Sequence, residues 1–98
     1  MSTRLLSTTA EEVLPRNTQR KSWIISNEDS AISCFIKRER IETPTVSATD
    51  HDHRLAPGGI ITMNDGTDGK EAIQDRWTIV AASGTPRVSF FETEDVRR

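Results

Sequence analysis

The stretch Trp-Thr-Ile-Val-Ala-Ala-Ser-Gly-Thr-Pro-Arg-Val-Ser-Phe-Phe-Glu, residues 77–92, decides the fold class. It holds two short runs rich in β-branched and aromatic residues, 77–82 and 86–92, with the turn residues 83–85 between them. Because Gly84 readily takes the positive φ that tight turns need, the pattern predicts a β-hairpin. In the first run apolar side chains point to both faces of a strand, which favours two sheets packed face to face.

Three further runs of the same kind lie upstream, at 22–26, 31–36 and 59–63. The polar residues 27–30 have the length of a tight connection, so we expect the strands on either side of them to pair. With an N-terminal strand and an edge strand at 45–48 added, the sequence predicts an all-β fold. We expect a compact antiparallel β-sandwich or β-barrel of about six to seven strands with an extended N-terminal segment.

The N-terminal segment allows two interpretations. Residues 8–12 match a helix capping box, but Pro15 limits any helix to about two turns, so we favour a strand at 4–7 and an extended crossing into Trp23. Residues 40–57 are polar and Thr-rich, and we expect them to form a long exposed loop. We divide the chain into an N-terminal arm or first strand at 1–14, a β-sandwich domain at 15–92 and a charged C-terminal tail at 93–98.

Composition narrows the classes of function. The 98-residue chain has a formal net charge of −2 with interspersed signs, which argues against a nucleic-acid or membrane-surface binder. Its apolar fraction of 34% is low for a self-sufficient core, so we expect long loops or a partner surface. The single Cys34 has apolar neighbours and is expected to be a small core residue. No run reaches the ~18 apolar residues of a spanning helix and the first residues lack a signal peptide's apolar region, so we expect a soluble protein.

The densest group of potential metal ligands is Asp50-His-Asp-His53. In an extended segment His51 and His53 point to the same side and form a possible divalent-metal pair. Zinc sites take three or four protein ligands, whereas the chain has no further histidine. We therefore expect a solvated loop and no resident metal or other cofactor, with a metal shared across a symmetric interface as the alternative.

Two glycine-rich stretches approach known ligand loops without matching them. Residues 64–69, Asn-Asp-Gly-Thr-Asp-Gly, lack the ligand pattern of an EF-hand, and residues 66–70 lack the spacing of a phosphate loop. We interpret both as turns. No serine lies in a nucleophile-elbow signature and Cys34 has apolar neighbours, so we expect no enzyme. The alternative is a small hydrolase or metal enzyme that uses His51 and Asp52.

The remaining charged and aromatic residues have structural interpretations. Two basic groups occur, residues 37–40, Lys-Arg-Glu-Arg, and Arg16 with residues 20–21, Arg-Lys. We interpret both as solvated faces or as charges that guard sheet edges, rather than as nucleic-acid contacts. Trp23 and Trp77 lie in apolar runs and are expected in the core. A sugar-binding platform formed by the two tryptophans is the alternative.

Three short motifs together resemble a family of small phage virion proteins. They are Asn17-x-x-Arg20 leading into Trp23-Ile-Ile-Ser-Asn27, then Leu55-Ala-Pro-Gly-Gly59, then Trp77-x-Ile-Val-Ala. Such proteins open with an N-x-x-R segment, continue into an I-x-N strand and place an L-A-P-G-G turn before the next strand. The resemblance covers residues 14–92 and implies a compact β-sandwich or β-barrel domain on a phage particle, with no catalytic residues.

The resemblance implies a capsid decoration (cement) protein that binds the major capsid protein and stabilises the assembled head shell. Such a protein is made in the host bacterial cytoplasm and lies on the exterior of the capsid. Because the domain is small, we expect a homo-oligomer, and a trimer before a dimer. We expect partner contacts from the termini and the histidine loop, at Arg4, Leu5, Leu6, Asp50, His51, Asp52, His53, Val96 and Arg97. The alternative is a tail or fibre component, such as a host-receptor or carbohydrate-binding module.

Overall fold

The computed structural model describes residues 2–39, 44–64 and 70–94. In this part of the chain it shows eight strands and one short helix. They are β1 (Ser2–Leu5), β2 (Glu11–Leu14), β3 (Arg20–Asn27), β4 (Cys34–Glu39), β5 (His53–Leu55), β6 (Ile60–Asn64), α1 (Lys70–Gln74), β7 (Arg76–Ala81) and β8 (Arg87–Glu94).

The strands form two four-stranded antiparallel sheets, a first sheet in the order β1-β8-β3-β6 and a second in the order β2-β7-β4-β5. This confirms the predicted all-β sandwich. The strand number is larger than the expected six to seven, because β2 and β5 form in segments that we expected to be a crossing and a loop. No strand forms at 45–48, where an isolated bridge joins Ser47 to Asp50.

Both predicted hairpins are wrong. The connection after β3 leads to β4 in the other sheet, and the connection after β7 leads to β8 in the other sheet. Gly84 does have a positive φ, 58°, but its turn directs the chain across the sandwich instead of back along β7. Every described strand except β5 pairs with a sequence-distant strand of its own sheet. Strand β5 pairs with β4, and these are the only consecutive described strands that pair.

The main core lies between the two sheets. Trp23 of β3 and Trp77 of β7 face each other across it, with ring centroids 4.9 Å apart and ring planes inclined by 56°. Both side chains are buried, as are Ile25, Ile36 and Ile79 around them. Each fully buried side chain of this size stabilises the fold by about 1.5–3 kcal/mol. The tryptophans are therefore core residues and form no exposed sugar platform.

The second sheet is apolar on its outer face as well. Phe35 and Val80 are neighbours on β4 and β7, and they pack with Val46 of the following loop in a small separate cluster. Val46 is only 4% exposed, so the loop lies on the sheet. This confirms that both faces of β7 are covered, and it corrects the expectation that residues 40–57 form an exposed loop, as far as that segment is described.

Residues 2–14, expected as an N-terminal arm or a first strand, form two strands, one in each sheet. Strand β1 pairs with β8 in the first sheet, and β2 pairs with β7 in the second. Leu6 is 1% exposed between them, and it packs in the main core. No helix forms at the capping-box residues 8–12, because β7 offers residues 11–14 a longer-range backbone partner.

Arg20 is the largest buried polar side chain, at 1% exposure. Its Nε donates to Glu92 Oε2 at 2.5 Å, and its Nη atoms donate to the carbonyl oxygens of Ile73, Asp75 and Pro15 at 2.9, 3.1 and 2.5 Å. The interpretation of Arg20 as a solvated charge is wrong. Its planar fork of donors instead joins β3 to β8, to the chain before β3 and to the end of α1.

Asn27 has the same role at the opposite end of β3. Its Nδ2 lies 2.7, 3.2 and 3.2 Å from the carbonyl oxygens of Ile32, Leu55 and Ala56, and its Oδ1 accepts from Asp29 N at 3.1 Å. The amide therefore joins the end of β3 to the L-A-P-G-G turn. Two of the three motifs that define the resemblance are in direct contact through this side chain.

The L-A-P-G-G turn forms as predicted. Gly58 has a φ of 73°, which favours glycine, and Gly59 N donates to Ala56 O at 2.8 Å. A Cβ on Gly59 would lie 2.9 Å from Ala56 O, so the tight turn has no space for a side chain. Leu55 is buried at the start of the turn, which fixes where β6 begins.

We expect Arg20→Ala to lower the free energy of unfolding by about 3–5 kcal/mol, because Glu92 and three carbonyl groups lose their donors. Arg20→Lys should lower the free energy of unfolding by less, since the ammonium group keeps the positive charge but lacks the planar set of guanidinium donors. Lys21→Ala changes the exposed neighbour on the same strand and should stay within about 0.5 kcal/mol. Urea unfolding followed by tryptophan fluorescence measures all three, and a loss below about 1 kcal/mol for Arg20→Ala would contradict the assigned role.

We expect Asn27→Asp to destabilise the fold by about 2–4 kcal/mol at neutral pH, because a carboxylate has no N–H to donate to the three carbonyl groups. The matched control is Asn17→Asp, since the Asn17 side chain is used as an acceptor, from Gln19 N at 3.0 Å. Thermal unfolding of both variants at pH 7 and pH 4 tests this. Equal melting temperatures for the two variants at pH 7 would refute the role of Asn27 as a donor.

Candidate functional site

The histidine loop, residues 44–53, is held against the second sheet by its own side chains. The Asp50 carboxylate accepts from Lys37 Nζ at 2.7 Å, and the Asp52 carboxylate accepts from Arg38 N at 2.8 Å. The centroids of the His51 and Phe35 rings lie 4.6 Å apart. Three of the four expected partner-contact residues in this loop therefore have partners within the chain.

The two histidines do not share one environment. His51 Nδ1 lies 3.0 Å from Ser47 O in the turn, whereas His53 begins β5 opposite Ile36 and is exposed. Within residues 2–39, 44–64 and 70–94, no group of three or more His, Cys, Asp or Glu is placed to hold a metal ion. Of residues 64–69, which we interpreted as a turn, only Asn64 is described, so that interpretation lies outside the described residues.

Glu39 of β4 is a buried acid that the sequence did not reveal. It is 3% exposed, and its carboxylate accepts from Thr78 Oγ1 at 2.5 Å and from the backbone N–H of Thr45 at 2.7 Å. Burial alone would raise the pKa of Glu39, but these hydrogen bonds and the nearby Lys37 ammonium outweigh it and lower the pKa. The charged form is therefore part of the folded structure.

The interpretation of residues 37–40 as edge-guarding charges is wrong for the described residues 37–39. Strand β4 is internal in the second sheet, between β7 and β5. Lys37 pairs with Asp50, and Arg38 Nε donates to Asp75 Oδ2 at 2.8 Å. The signal in the sequence was that the apolar run from Cys34 continues into these charges with no turn residue between them.

Cys34 is fully buried in the main core, as expected from its neighbours. Burial, together with the nearby Asp29 carboxylate, raises the pKa of its thiol to about 11. The thiol is therefore protonated at neutral pH. Because the thiolate is the nucleophilic form, this environment does not activate the residue.

The outer face of the first sheet is different, because large hydrophobic side chains on it remain exposed. We call it the open face. Alternation along the strands and the pairing register place its residues as Thr3, Leu5, Ser22, Ile24, Ser26, Ile60, Thr62, Asn64, Arg87, Ser89, Phe91 and Thr93. It holds all three exposed large hydrophobic residues of the described chain, Leu5 at 60%, Ile60 at 65% and Phe91 at 42% exposure.

The open face also has very few charges. Arg87 is its one charged residue, although 29% of the chain is Asp, Glu, Lys or Arg. The other positions are apolar or carry a small hydroxyl or amide group, and Ser22 Oγ lies 2.5 Å from Thr93 Oγ1. Depletion of charge with exposed aromatic and aliphatic groups is typical of the centre of a protein interface. The open face is therefore the candidate docking surface.

The expected N-terminal contacts divide between the core and this surface. Leu5 lies on the open face, whereas Leu6 is buried and offers no surface to a partner. Arg4 points to the inner side of β1, where its Nη1 donates to Glu12 O at 2.8 Å and its guanidinium lies 5.5 Å from the Phe90 ring centroid. The expected C-terminal contacts Val96 and Arg97 lie outside the described residues.

Ile60 and Phe91 were absent from the expected contacts. Each lies in a strand whose other outward residues are polar or charged and whose inward residues are mostly buried or half-buried apolar groups. Alternation divides the residues of a strand between two faces, but it does not say which face is turned toward the core. An apolar residue can therefore be recognised as outward only when the inward face is known. The sheet assignment, which the sequence did not provide, was therefore needed to find them.

We expect Glu39→Gln to lower the free energy of unfolding at pH 7 by about 1–3 kcal/mol, because the amide cannot accept all the hydrogen bonds of the carboxylate. The pKa of Glu39 is below its ordinary value of 4.5 when folded, so its stabilisation is complete above that value and is lost as pH falls through the folded pKa. The variant should therefore lose less stability on acidification. Glu28→Gln, at an exposed position, is the control, and parallel pH profiles for Glu39→Gln and the wild type would refute this.

None of the described helices is long and apolar enough to span a membrane. No protein-family model, curated protein or solved structure matches this chain. What supports a function is therefore the geometry of the described residues.

Proposed function

We propose that this chain is a structural protein of a phage particle, and specifically a capsid decoration protein that binds the major capsid protein on the exterior of the head. The open face is the observation that carries the proposal. It is a four-stranded surface with one charge and three exposed hydrophobic side chains, and the chain itself leaves it uncovered in the described part. A surface of this kind is typical of proteins that function by binding to another protein.

The motifs behind the resemblance support the proposal through the positions that they occupy. Arg20, Asn27 and Leu55-Ala-Pro-Gly-Gly59 all stabilise the sandwich itself, at the two ends of β3. Their role is to maintain a fold, which agrees with a family defined by architecture rather than by chemistry. The family resemblance and the buried polar contacts therefore point to a structural protein.

The proposed mechanism is binding to the assembled shell in preference to its separate subunits. A ligand that binds one state alone stabilises that state by mass action, so each bound copy favours the assembled lattice. Many equivalent sites on a head add these contributions over the whole shell. Modest affinity per copy is then sufficient, which suits a contact surface as small as one four-stranded sheet face.

The alternative of a carbohydrate-binding module on a tail or fibre lacks support from the aromatic residues. Trp23 and Trp77 pack against each other with tilted rings inside the core, and Trp77 Nε1 donates to Ala72 O at 2.9 Å. Neither ring presents a face to solvent. Among the aromatic side chains of the described residues, Phe91 alone is exposed on the open face, and one ring offers no paired platform.

Cryo-electron microscopy of the purified particles tests the location. We expect density of this fold repeated regularly over the head, with the open face of each copy against the major capsid protein. Density confined to the tail, or absence of the chain from particles, would refute the proposal.

A pair of variants tests the surface. Phe91→Glu places a charge at the centre of the open face and should reduce the occupancy of the shell about tenfold or more. His53→Glu, on the exposed end of the histidine loop, should leave occupancy unchanged. Loss of binding in His53→Glu with normal binding in Phe91→Glu would transfer the contact to the histidine loop, and melting curves confirm that both variants fold.

A further inference from the structure

The four strands at the sheet edges differ in how they are guarded against pairing with another chain. Exposed edges are usually protected by charges, proline, a bulge or short length. Strand β1 carries Arg4, whose Nη1 lies 3.7 Å from Glu11 Oε2 of β2. Strand β2 itself has two glutamates and an irregular pairing register with β7. Strand β5 has three residues, one of them Arg54. Each of these three edges therefore has at least one protective feature.

Strand β6 has none of these features. Its five residues, Ile-Ile-Thr-Met-Asn, include no charge and no proline, and they pair with β3 in one uninterrupted register. On its other side it has no neighbouring strand among the described residues. An uncharged, regular edge strand of this length is a template for strand addition.

The backbone of β6 presents hydrogen-bonding groups at this edge. Asn27 N donates to Gly59 O at 2.9 Å, and an antiparallel ladder alternates residues that bond to the neighbour with residues that point away. Ile61 and Met63 therefore bond to β3, and the N–H and C=O groups of Ile60 and Thr62 point outward. These outward groups are the ones that an added strand would pair.

The addition of a strand at this edge would also bury side chains of β6. Ile61 and Met63 face the core but are only partly buried, and no described strand lies beyond them. Ile60 is 65% exposed on the open face. A strand added at this edge covers apolar groups on both faces of the sheet as well as the backbone.

We propose that β6 is an assembly edge, through which a second copy of this chain adds its own β6 in antiparallel orientation about a two-fold axis. In the pair, the first sheets of the two copies form one continuous sheet of eight strands. Their two open faces then form one surface. The inference stands on the edge geometry and does not rest on the phage assignment.

The lack of charge on β6 permits a second copy as the occupant, and the self-complementarity of a two-fold contact favours it. An uncharged strand forms no complementary ion pair with a charged partner strand, whereas two copies of β6 meet with no like charges opposite each other. A two-fold axis also makes the contact self-complementary, so one unprotected edge per copy is sufficient. A closed trimer, the expectation from the sequence, would instead pair β6 with β1, which carries Arg4.

The size of the contact predicts a weak pair. A five-residue strand is about 17 Å long, and its edge buries much less than the ~800 Å² per partner of a standard interface. We expect a dissociation constant between about 10 µM and 1 mM. Copies held next to each other on a repeating surface would pair more completely, because their effective concentration is higher.

Sedimentation equilibrium of the full chain from about 10 µM to 1 mM tests the proposal. The wild type should show a monomer–dimer equilibrium. Thr62→Lys places a lysine from each copy near the two-fold axis, and it should weaken the dimer about tenfold or more. Thr3→Lys is the matched control, since it makes the same change on the same face at the opposite edge, and it should behave as the wild type.

Amide hydrogen exchange tests the edge without any substitution. The N–H groups of Ile60 and Thr62 should exchange more slowly as protein concentration rises, while that of Thr3 stays constant. A monomer throughout the concentration range, a trimer, or equal weakening by Thr3→Lys and Thr62→Lys would overturn the two-fold pairing.

Discussion

A buried guanidinium holds one end of this sandwich together. Arg20 has no access to solvent, and each of its donors that the structure places meets a carbonyl or carboxylate oxygen. These acceptors belong to β8, to the chain before β3 and to the segment between α1 and β7. Buried charge is tolerated only where partners surround it, so these segments must be in position together. Asn27 imposes the same requirement at the other end of β3. Its side-chain amide donates to carbonyl oxygens of the connection between β3 and β4 and of the turn before β6. Strand β3 is therefore fixed at both ends by polar contacts and in the middle by Trp23.

The sequence was sufficient for the class of fold and for most strands, but not for their pairing. Periodicity placed β3, β4, β6, β7 and β8 to within a few residues, because alternation of apolar and polar side chains is a local property. Pairing depends on which edge each strand meets in space, and two short polar connections that suit hairpins instead cross the sandwich. The buried Arg20 and Glu39 were missed for a related reason. A charge is recognised as buried only when its partners are known, and those of Arg20 include Ile73 and Glu92, more than fifty residues away along the chain.

The candidate surface follows from an asymmetry between the sheets. Both have apolar residues on their outer faces, but the second sheet is covered by its own loop through Val46 and His51, whereas the first is left open. The residues that the sequence marked as conspicuous, the Asp and His cluster, are largely engaged in that cover. The residues that remain exposed are ordinary leucine, isoleucine and phenylalanine side chains among serines and threonines. Their arrangement on one face, rather than their chemical type, makes them candidates for binding.

The crossing of nearly every connection between the sheets has a consequence for how this chain reaches its fold. Strand β8 lies between β1 and β3 and follows every other described strand in sequence. A newly synthesised chain therefore has no completed first sheet until β8 has left the ribosome, and only β4 and β5 can pair beforehand as neighbours in sequence. Forming contacts this distant along the chain costs loop-closure entropy before the contacts stabilise the fold. We therefore expect folding in the millisecond-to-second range typical of all-β sandwiches. During that interval apolar strands remain exposed, so aggregation competes with the insertion of β8 between β1 and β3.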